Sequence, residues 1–458
     1  MIHSFEFLSR YFLLDVASGS LFEIDDIADQ LVKKSKDTKF WSGKFIDIVD
    51  EQGVANAEQL EAAKELDILV ADGVLCTPEP TEYAKKAQGY KAMCLNVSHD
   101  CNLDCGYCFA AENVAQKRMM SIETAKKAID MLVAISKNRR ILEIDFFGGE
   151  PTLNFAMVQQ AVEYAHSLEE KTKKKFRFTI TTNALHLTDE MIDFLCKEMY
   201  NVVLSIDGRE SVHNHLRPTK GKKDTHHLVL QNIKRFVAKR GNGQYYVRGT
   251  YTAHNLDFSN DILNLNDMGF DQISVEPVTL PDNHELALKP EHLTHIYNEY
   301  DNLAQEYLHR RKQGDKWFNF FHFYIDLKGG PCESKRLSGC GAGCEYIAIS
   351  PSGDIYPCHQ FVGMDDYKLG TVDTGIDLST RTQFETNDIS TKSHCQNCFA
   401  KYYCSGGCIA NAAQYTGSID GCTPLSCDII RKRIECALGI YAIESEYDDQ
   451  KLLGAKQA

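Results

Sequence analysis

The sequence predicts an α/β fold in which six strand–helix units build a parallel sheet, open or curled into a partial barrel. A small module precedes that sheet and a cysteine-rich segment follows it. Three observations carry the expectation. Strand-length apolar runs alternate with helical stretches from about residue 90 to 310, a hairpin-and-helix pattern fills the first 85 residues, and seventeen cysteines fall mostly into two clusters. Alternating β and α segments of this kind place strands parallel, with ligands at the C-terminal strand ends.

Taken in order, Tyr11–Ala17 and Ser20–Ile24 are apolar-rich and flank Ser18-Gly19, which reads as a hairpin. Asp25 or Asp26 caps a helix through about Lys34. Ala57–Asp72 carries Leu60, Ala63, Leu66 and Val70 at helical spacing, and Gly73 follows as its stop. Hairpin plus helices resembles a winged-helix module, and Pro78-Glu79-Pro80 makes a stiff linker. Strands are then expected at Met93–Val97, Ile141–Phe147, Phe176–Thr181, Val202–Ile206, Tyr246–Tyr251 and Ile273–Val278. Helices such as Ile122–Ser136, Ala156–Lys171 and His227–Lys239 lie between them. After Lys328 the sequence turns Gly- and Cys-rich with little periodicity, so bound metal is expected to supply its order. The domain boundaries follow as 1–85, 90–315 and 330–440, with a tail at 441–458.

Composition narrows the function classes. Apolar residues make up 43% and charged residues 25%, the balance of a globular chain. A net charge of −14, with no basic run outlasting Lys171–Lys175, argues against a nucleic-acid partner. No apolar stretch is long enough for a membrane helix. The run Tyr11–Ala17, broken by Asp15 and not preceded by a cationic segment, does not read as a signal peptide. A cytoplasmic protein is expected, and in a reducing compartment many cysteines point to metal or redox sites.

Cys101, Cys105 and Cys108 follow the first barrel strand with C-x3-C-x2-C spacing. Three thiolates on one short loop hold three irons of a 4Fe–4S cluster and leave the fourth open to S-adenosylmethionine (SAM). A structural zinc site is the alternative, but no fourth Cys or His lies at a fitting distance in the loop. The loop, with Tyr107 before its last cysteine, resembles the signature of the radical SAM superfamily. Gly148-Gly149-Glu150-Pro151 after the second strand resembles that family's motif for the SAM amino group. By position, Thr182 and Asn183, Ser205 with Asp207, and Arg217 in the stretch LRPTKG resemble its ribose and carboxylate contacts.

The second cluster reads Cys395-x2-Cys398-x5-Cys404-x3-Cys408, preceded by Cys340 and Gly353-x4-Cys358 and followed by Cys422 and Cys427. Residues 332–435 resemble the SPASM extension, which carries two auxiliary 4Fe–4S clusters. The resemblance assigns Cys395, Cys398, Cys404 and Cys427 to one and Cys340, Cys358 and Cys408 to the other. Cys332, Cys344 and Cys422 exceed the family pattern, so the fourth ligand near Cys340 stays open. Cys76, Cys94, Cys196 and Cys436 lie in apolar or helical contexts and read as buried structural thiols.

The whole chain, including LSGCGAGCEYIAISPSGDIYPCHQFVG, is similar to maturases of "six cysteines in forty-five" (SCIFF) peptides. The resemblance implies an enzyme joining a cysteine sulfur to a carbon of another residue, commonly Thr, in a Cys-rich precursor peptide. The peptide's leader would add as a strand near Leu21–Ile24, backed by Ala57–Asp72. Flavodoxin or ferredoxin would supply electrons. A sulfatase maturase, a quinohemoprotein-type maturase and a non-catalytic iron–sulfur protein are the alternatives.

Overall fold

In the computed structural model the described residues are 1–37, 43–50, 56–79, 89–109, 117–314, 316–327 and 337–457. Pro80 of the expected linker and Cys332 lie outside them. The central sheet is built from β4 (Ala92–Ser98), β5 (Ile141–Gly148), β6 (Lys175–Thr182), β7 (Met199–Ser205), β8 (Tyr245–Tyr251) and β9 (Gln272–Pro277), paired in sequence order and all parallel. These are the six expected strands, shifted by one to three residues at their ends. Between them run α4 (Ile122–Ile135), α5 (Phe155–Thr172), α6 (Asp189–Glu198), α7 (Glu210–Leu216), α8 (His226–Arg240) and α9 (Phe258–Asp267); α10 (Leu293–Gln313) follows β9. Ser121 and Thr188 cap α4 and α6 by accepting from the backbone three residues on. In β5 and β6, alternate residues such as Leu142, Ile144, Phe146, Phe178 and Ile180 are buried in the core. Glu143, Asp145, Arg177 and Thr179 share the opposite face, with its polar chemistry.

The sheet is larger than the sequence pattern shows. β10 (Asn319–Phe320) adds to β9 at one edge. At the other, β11 (Tyr346–Ile349) pairs parallel with β4, and β12 (Asp354–Tyr356), β13 (Gly370–Thr371) and β14 (Gly375–Ile376) continue antiparallel. The expectation that the cysteine-rich segment lacks packed structure of its own is therefore corrected. Ile347, Ala348, Ile349 and Ile355 are fully buried, because so short a strand gains a core by completing the edge of β4.

The N-terminal segment holds three strands rather than a hairpin. They are β1 (Ile2–Phe7), β2 (Arg10–Asp15) and β3 (Leu21–Ile24), in that spatial order, so β3 is an edge strand. They are followed by α1 (Asp26–Asp37), α2 (Phe45–Asp50) and α3 (Ala57–Ala71). Asp25 starts α1 by accepting from the Ala28 amide at 2.7 Å, and Asn56 with Gln59 forms a capping box on α3. One face of the sheet, with Leu13, packs on these helices. The other, with Phe5, Phe7, Phe12 and Leu14, joins the main core. The segment is thus not the free-standing module its composition suggests. Residues beyond 440 are not a tail either: α12 runs from Pro424 to Gln457 through that boundary. It passes under the N-terminal sheet, where Glu435 meets His3 at 2.9 Å and Arg10 bonds both Glu23 and Glu446. Among the described residues no helix is long and apolar enough to cross a membrane.

Candidate radical-initiating site

β4 ends at Ser98, and the loop carrying Cys101, Cys105 and Cys108 leaves it directly. Backbone bonds fasten that loop to the stretch after α7: Asp104 donates to Pro218 O at 2.8 Å and Gly106 to Leu216 O at 2.9 Å. Cys101 Sγ accepts from the Leu103 amide at 3.4 Å and from Asn183 Nδ2 at 3.6 Å. Burial pushes the Cys101 thiol up to about 11, with Glu150 and Cys108 adding to the rise, and Cys105 up to about 12, with Cys108 and Cys101 adding to it. Such thiols stay protonated at neutral pH unless a metal takes the proton's place.

The Gly148–Pro151 turn approaches the loop as closely as backbone can. Gly149 donates to Ser98 O at 2.6 Å and Glu150 to Asp100 O at 2.8 Å. A Cβ on Gly149 would lie 2.3 Å from Asp100 O, so no other residue fits there. Glu150 is buried, and its oxygens accept from Thr152 N, Thr152 Oγ1, Thr182 Oγ1 and Asn183 N at 2.7–3.0 Å. Its visible work is to brace Thr182 and Asn183, and an incoming ammonium would approach beside those bonds.

A buried polar chain closes the opposite wall. Arg217 Nη1 donates to Tyr107 OH at 2.7 Å, and Tyr107 OH donates to Asp207 Oδ2 at 2.7 Å. Asp207 Oδ1 also accepts from the Thr250 amide at 3.1 Å. Arg217 Nε is buried without a protein acceptor, and a ligand carboxylate would supply one. Ser205 ends β7 half-buried, in register with Arg248. The structure therefore gathers the predicted Cys101, Cys105, Cys108, Gly148, Gly149, Glu150, Pro151, Thr182, Asn183, Asp207 and Arg217 at one strand-end face. The donor set fits a thiolate-bound cluster and a zwitterionic ligand.

The match to the radical SAM superfamily spans residues 95–255, from β4 through β8 and every residue just described. The chain contains a radical SAM domain. It is 23% identical over 330 residues to a cysteine-type anaerobic sulfatase-maturating enzyme of Clostridium novyi, covering 69% of this chain and 86% of that one. It is 24% identical over 376 residues to the radical SAM cyclopropyl synthase TigE of Paramaledivibacter caminithermalis, covering 77% and 75%. The fold matches that of anSMEcpe with bound AdoMet, with TM-score 0.66, 20% identity and coverage of 78% and 99%. It also matches Streptococcus suis SuiB bound to precursor peptide SuiA, with TM-score 0.53, 18% identity and coverage of 92% and 97%.

Outside the radical SAM domain, the second set of cysteines separates into two neighbourhoods. Cys358 is raised by burial and by Cys408 and Cys340 beside it. Cys395 is pushed up to about 11 by burial and by Cys404, Cys398 and Cys422. Cys427 goes up to about 12 by burial and by Cys422 and Cys404. Cys344 lies near Tyr90, whose hydroxyl donates to Gly343 O at 2.9 Å. Cys422 and Cys427 stand together, so the structure does not choose between them. Among the described residues no three acid, His or Cys side chains converge on a single ion; a cubane cluster holds its ligand sulfurs well apart. Cys94 and Cys436 are fully buried, and Cys76 and Cys196 half-buried.

Sequence reasoning missed what joins the two halves. A pocket at the sheet mouth is lined by Asn96, His99, Phe109, Gly148, Gly149, His359 and Val362. Its aromatic wall has Phe109 and Phe147 at 6.4 Å, and His359 4.7 Å from Phe147. Phe109 adjoins Cys108 and His359 adjoins Cys358, which is the signal the sequence offered.

Proposed function

We propose that this chain is a radical SAM maturase that forms thioether bonds in a Cys-rich precursor peptide, joining a cysteine sulfur to a carbon of another residue. The contact between the Cys108 loop and the Cys358 stretch carries the reading: Phe109 beside Cys108 and His359 beside Cys358 meet 5.9 Å apart at the sheet mouth, which brings the first cysteine loop against the second set. Cys101, Cys105 and Cys108 would hold the SAM cluster, which supplies the electron that cleaves SAM and yields a 5′-deoxyadenosyl radical. Arg217 would take the SAM carboxylate on its free Nε, and Glu150, Thr182 and Asn183 would form the wall beside the amino group and ribose. Cys340, Cys358 and Cys408 would hold a second cluster, and Cys395, Cys398, Cys404 and Cys427 a third. The edge strand β3 would receive the leader.

The likeness to SuiB over 92% of the chain, against 78% for anSMEcpe, supports a peptide substrate recognised partly by the N-terminal sheet. The sulfatase-maturase reading rests on the Clostridium novyi relative. Dithionite-reduced enzyme incubated with SAM and a Cys-rich precursor peptide decides between the two. A thioether removes two hydrogens and protects one thiol from alkylation, whereas sulfatase-type oxidation leaves an aldehyde that captures a hydrazide. A peptide that keeps every alkylatable thiol refutes thioether formation.

A further inference from the structure

The cysteine group around Cys398 is gripped by the first strands of the chain. Residues 399–403 link Cys398 to Cys404 with a single helical turn, Lys401–Cys404. Four of these residues meet the N-terminal segment. The Phe399 ring stacks on His3 of β1, with centroids 3.6 Å apart and planes 2° apart. Lys401 Nζ donates to Glu79 Oε1 at 2.8 Å, and the Tyr402 hydroxyl donates to the other Glu79 oxygen. A Cβ on Gly19, in the turn between β2 and β3, would lie 3.6 Å from Tyr403 OH. Glu79 is held in turn by the sheet: two residues before it, the Thr77 amide donates at 2.9 Å to the fully buried Asp15 that ends β2.

His3 also holds the second carrier of these cysteines. Cys422 lies just before α12 and Cys427 in its first turn, and Glu435 of the same helix meets His3 Nε2 at 2.9 Å. One imidazole therefore spans the Cys398–Cys404 turn with its face and the Cys427 helix with its edge. Further along α12, Gly439 packs on Phe7 and Glu446 bonds Arg10. The neighbouring cysteine group is anchored elsewhere. Cys408 precedes α11 (Ile409–Thr416), whose Asn411 and Tyr415 donate to Thr279 Oγ1 and O at 3.1 and 2.7 Å, just beyond β9.

We infer that His3 and Glu79 are positioning residues for the metal site of Cys395, Cys398 and Cys404, so that the N-terminal sheet docks firmly only when that site is loaded and in turn slows the loss of its metal. This rests on the readings that these thiols hold a cluster and that β3 receives a peptide. The donor set is thiols alone, which suits iron and sulfide. A bound cluster fixes Cys398 and Cys404 relative to each other and to the start of α12, so residues 399–403 and Glu435 present a preset surface to His3 and Glu79. Without metal, ordering that surface costs conformational entropy. Coupling of this kind runs in both directions. Its consequence is a check on assembly: a chain lacking this metal offers a loosened edge to its peptide.

The test uses the full chain with Cys101, Cys105 and Cys108 changed to Ala, reconstituted with iron and sulfide. Iron release to excess bathophenanthroline is followed without oxygen, and Cys404→Ser and Cys408→Ser variants assign the two pools. His3→Ala and Glu79→Ala are each expected to speed release from the Cys404 pool about tenfold and to leave the Cys408 pool unchanged. His3→Phe, which keeps the stack and loses the Glu435 bond, should fall between. Unchanged release from the Cys404 pool, or equal acceleration of both pools, overturns the inference. Hydrogen exchange supplies the reverse direction. With Cys398 and Cys404 both changed to Ser, the amides of β1–β3 should exchange about tenfold faster while β5 and β6 keep their rates; unchanged exchange in β1–β3 overturns the inference. If His3→Ala does not fold, Glu79→Ala and the exchange rates decide. A parent chain that loads no iron on the Cys404 side overturns the cluster assignment and this inference with it. If release and exchange both shift but the loaded chain binds no Cys-rich precursor peptide, the β3 reading fails and the coupling stands.

Discussion

Replacing Tyr107 by Phe removes one hydroxyl and breaks two buried bonds, both 2.7 Å, that join Arg217 to Asp207. Arg217 is 7% and Asp207 2% exposed, so bulk water does not freely replace the lost partner. Bonds to charged groups contribute about 1.5–3 kcal/mol each, which bounds the loss at about 3–6 kcal/mol. Partial relaxation of the side chains brings the expected value to about 3 kcal/mol. At about 1.4 kcal/mol per tenfold, SAM affinity should fall by up to roughly 100-fold, the limit set by how much of that loss is felt only when SAM binds. Equilibrium dialysis of SAM against the reconstituted variant measures it, with total iron as the control for the remaining sites. An unchanged Kd with full iron content would show that the chain does not hold Arg217 in its binding position.

Anaerobic reconstitution should load about twelve irons per chain, and about eight after Cys101, Cys105 and Cys108 become Ala; saturation at four would sink the auxiliary assignment. Gly439→Ala puts a Cβ 2.1 Å from Phe7 Cδ1, so it should destabilise the contact of α12 with the N-terminal sheet by about 1–3 kcal/mol in urea unfolding; an unchanged midpoint would refute that packing. Asp145 is raised to about 7 by burial and by Glu143 beside it, so the folded apo-protein binds its proton more tightly than the unfolded chain. Its stability contribution is complete below about pH 4 and is lost as pH rises toward 7, by at most about 4 kcal/mol. Asp145→Asn should flatten that slope, and an identical pH–stability profile would refute the assignment. If the Cys340–Cys358–Cys408 cluster keeps an open iron for the substrate thiol, the cysteine-bearing peptide should change its EPR signal and a Cys-to-Ala peptide should not; Cys344 closing that iron would abolish the difference.

The barrel was legible because each of its strands is an apolar run ending in a marked loop, and periodicity survives wherever an element is long. The site was legible for the same reason: C-x3-C-x2-C and Gly148–Pro151 are contiguous in sequence and rigid in backbone. What escaped depends on partners distant in the chain. Ile2–Phe7 reads as a strand only beside β2, and Tyr346–Ile349 is too short to announce itself without β4. The hydroxyl of Tyr107 finds Asp207 100 residues away. Arg433 looks like any helix surface charge until Glu276 of β9 is seen 3.1 Å from it. The winged-helix expectation located its helices well but mistook an integrated sheet for a detachable one, because the apolar faces of β1 and β2 carry no mark of what covers them.

The parallel pairing of β4 with β11 has a consequence for biosynthesis. Ala92 emerges from the ribosome about 250 residues before its partner Tyr346, so at about 5–20 residues per second one edge of the nascent sheet stays open for roughly 13–50 s. During that interval the strand that leads into Cys101 has unpaired backbone along one side, beside thiols not yet enclosed. Chains stalled or truncated before residue 346 would expose a sticky edge and an unguarded iron-binding loop together, and aggregate before most of the second set of cysteines exists.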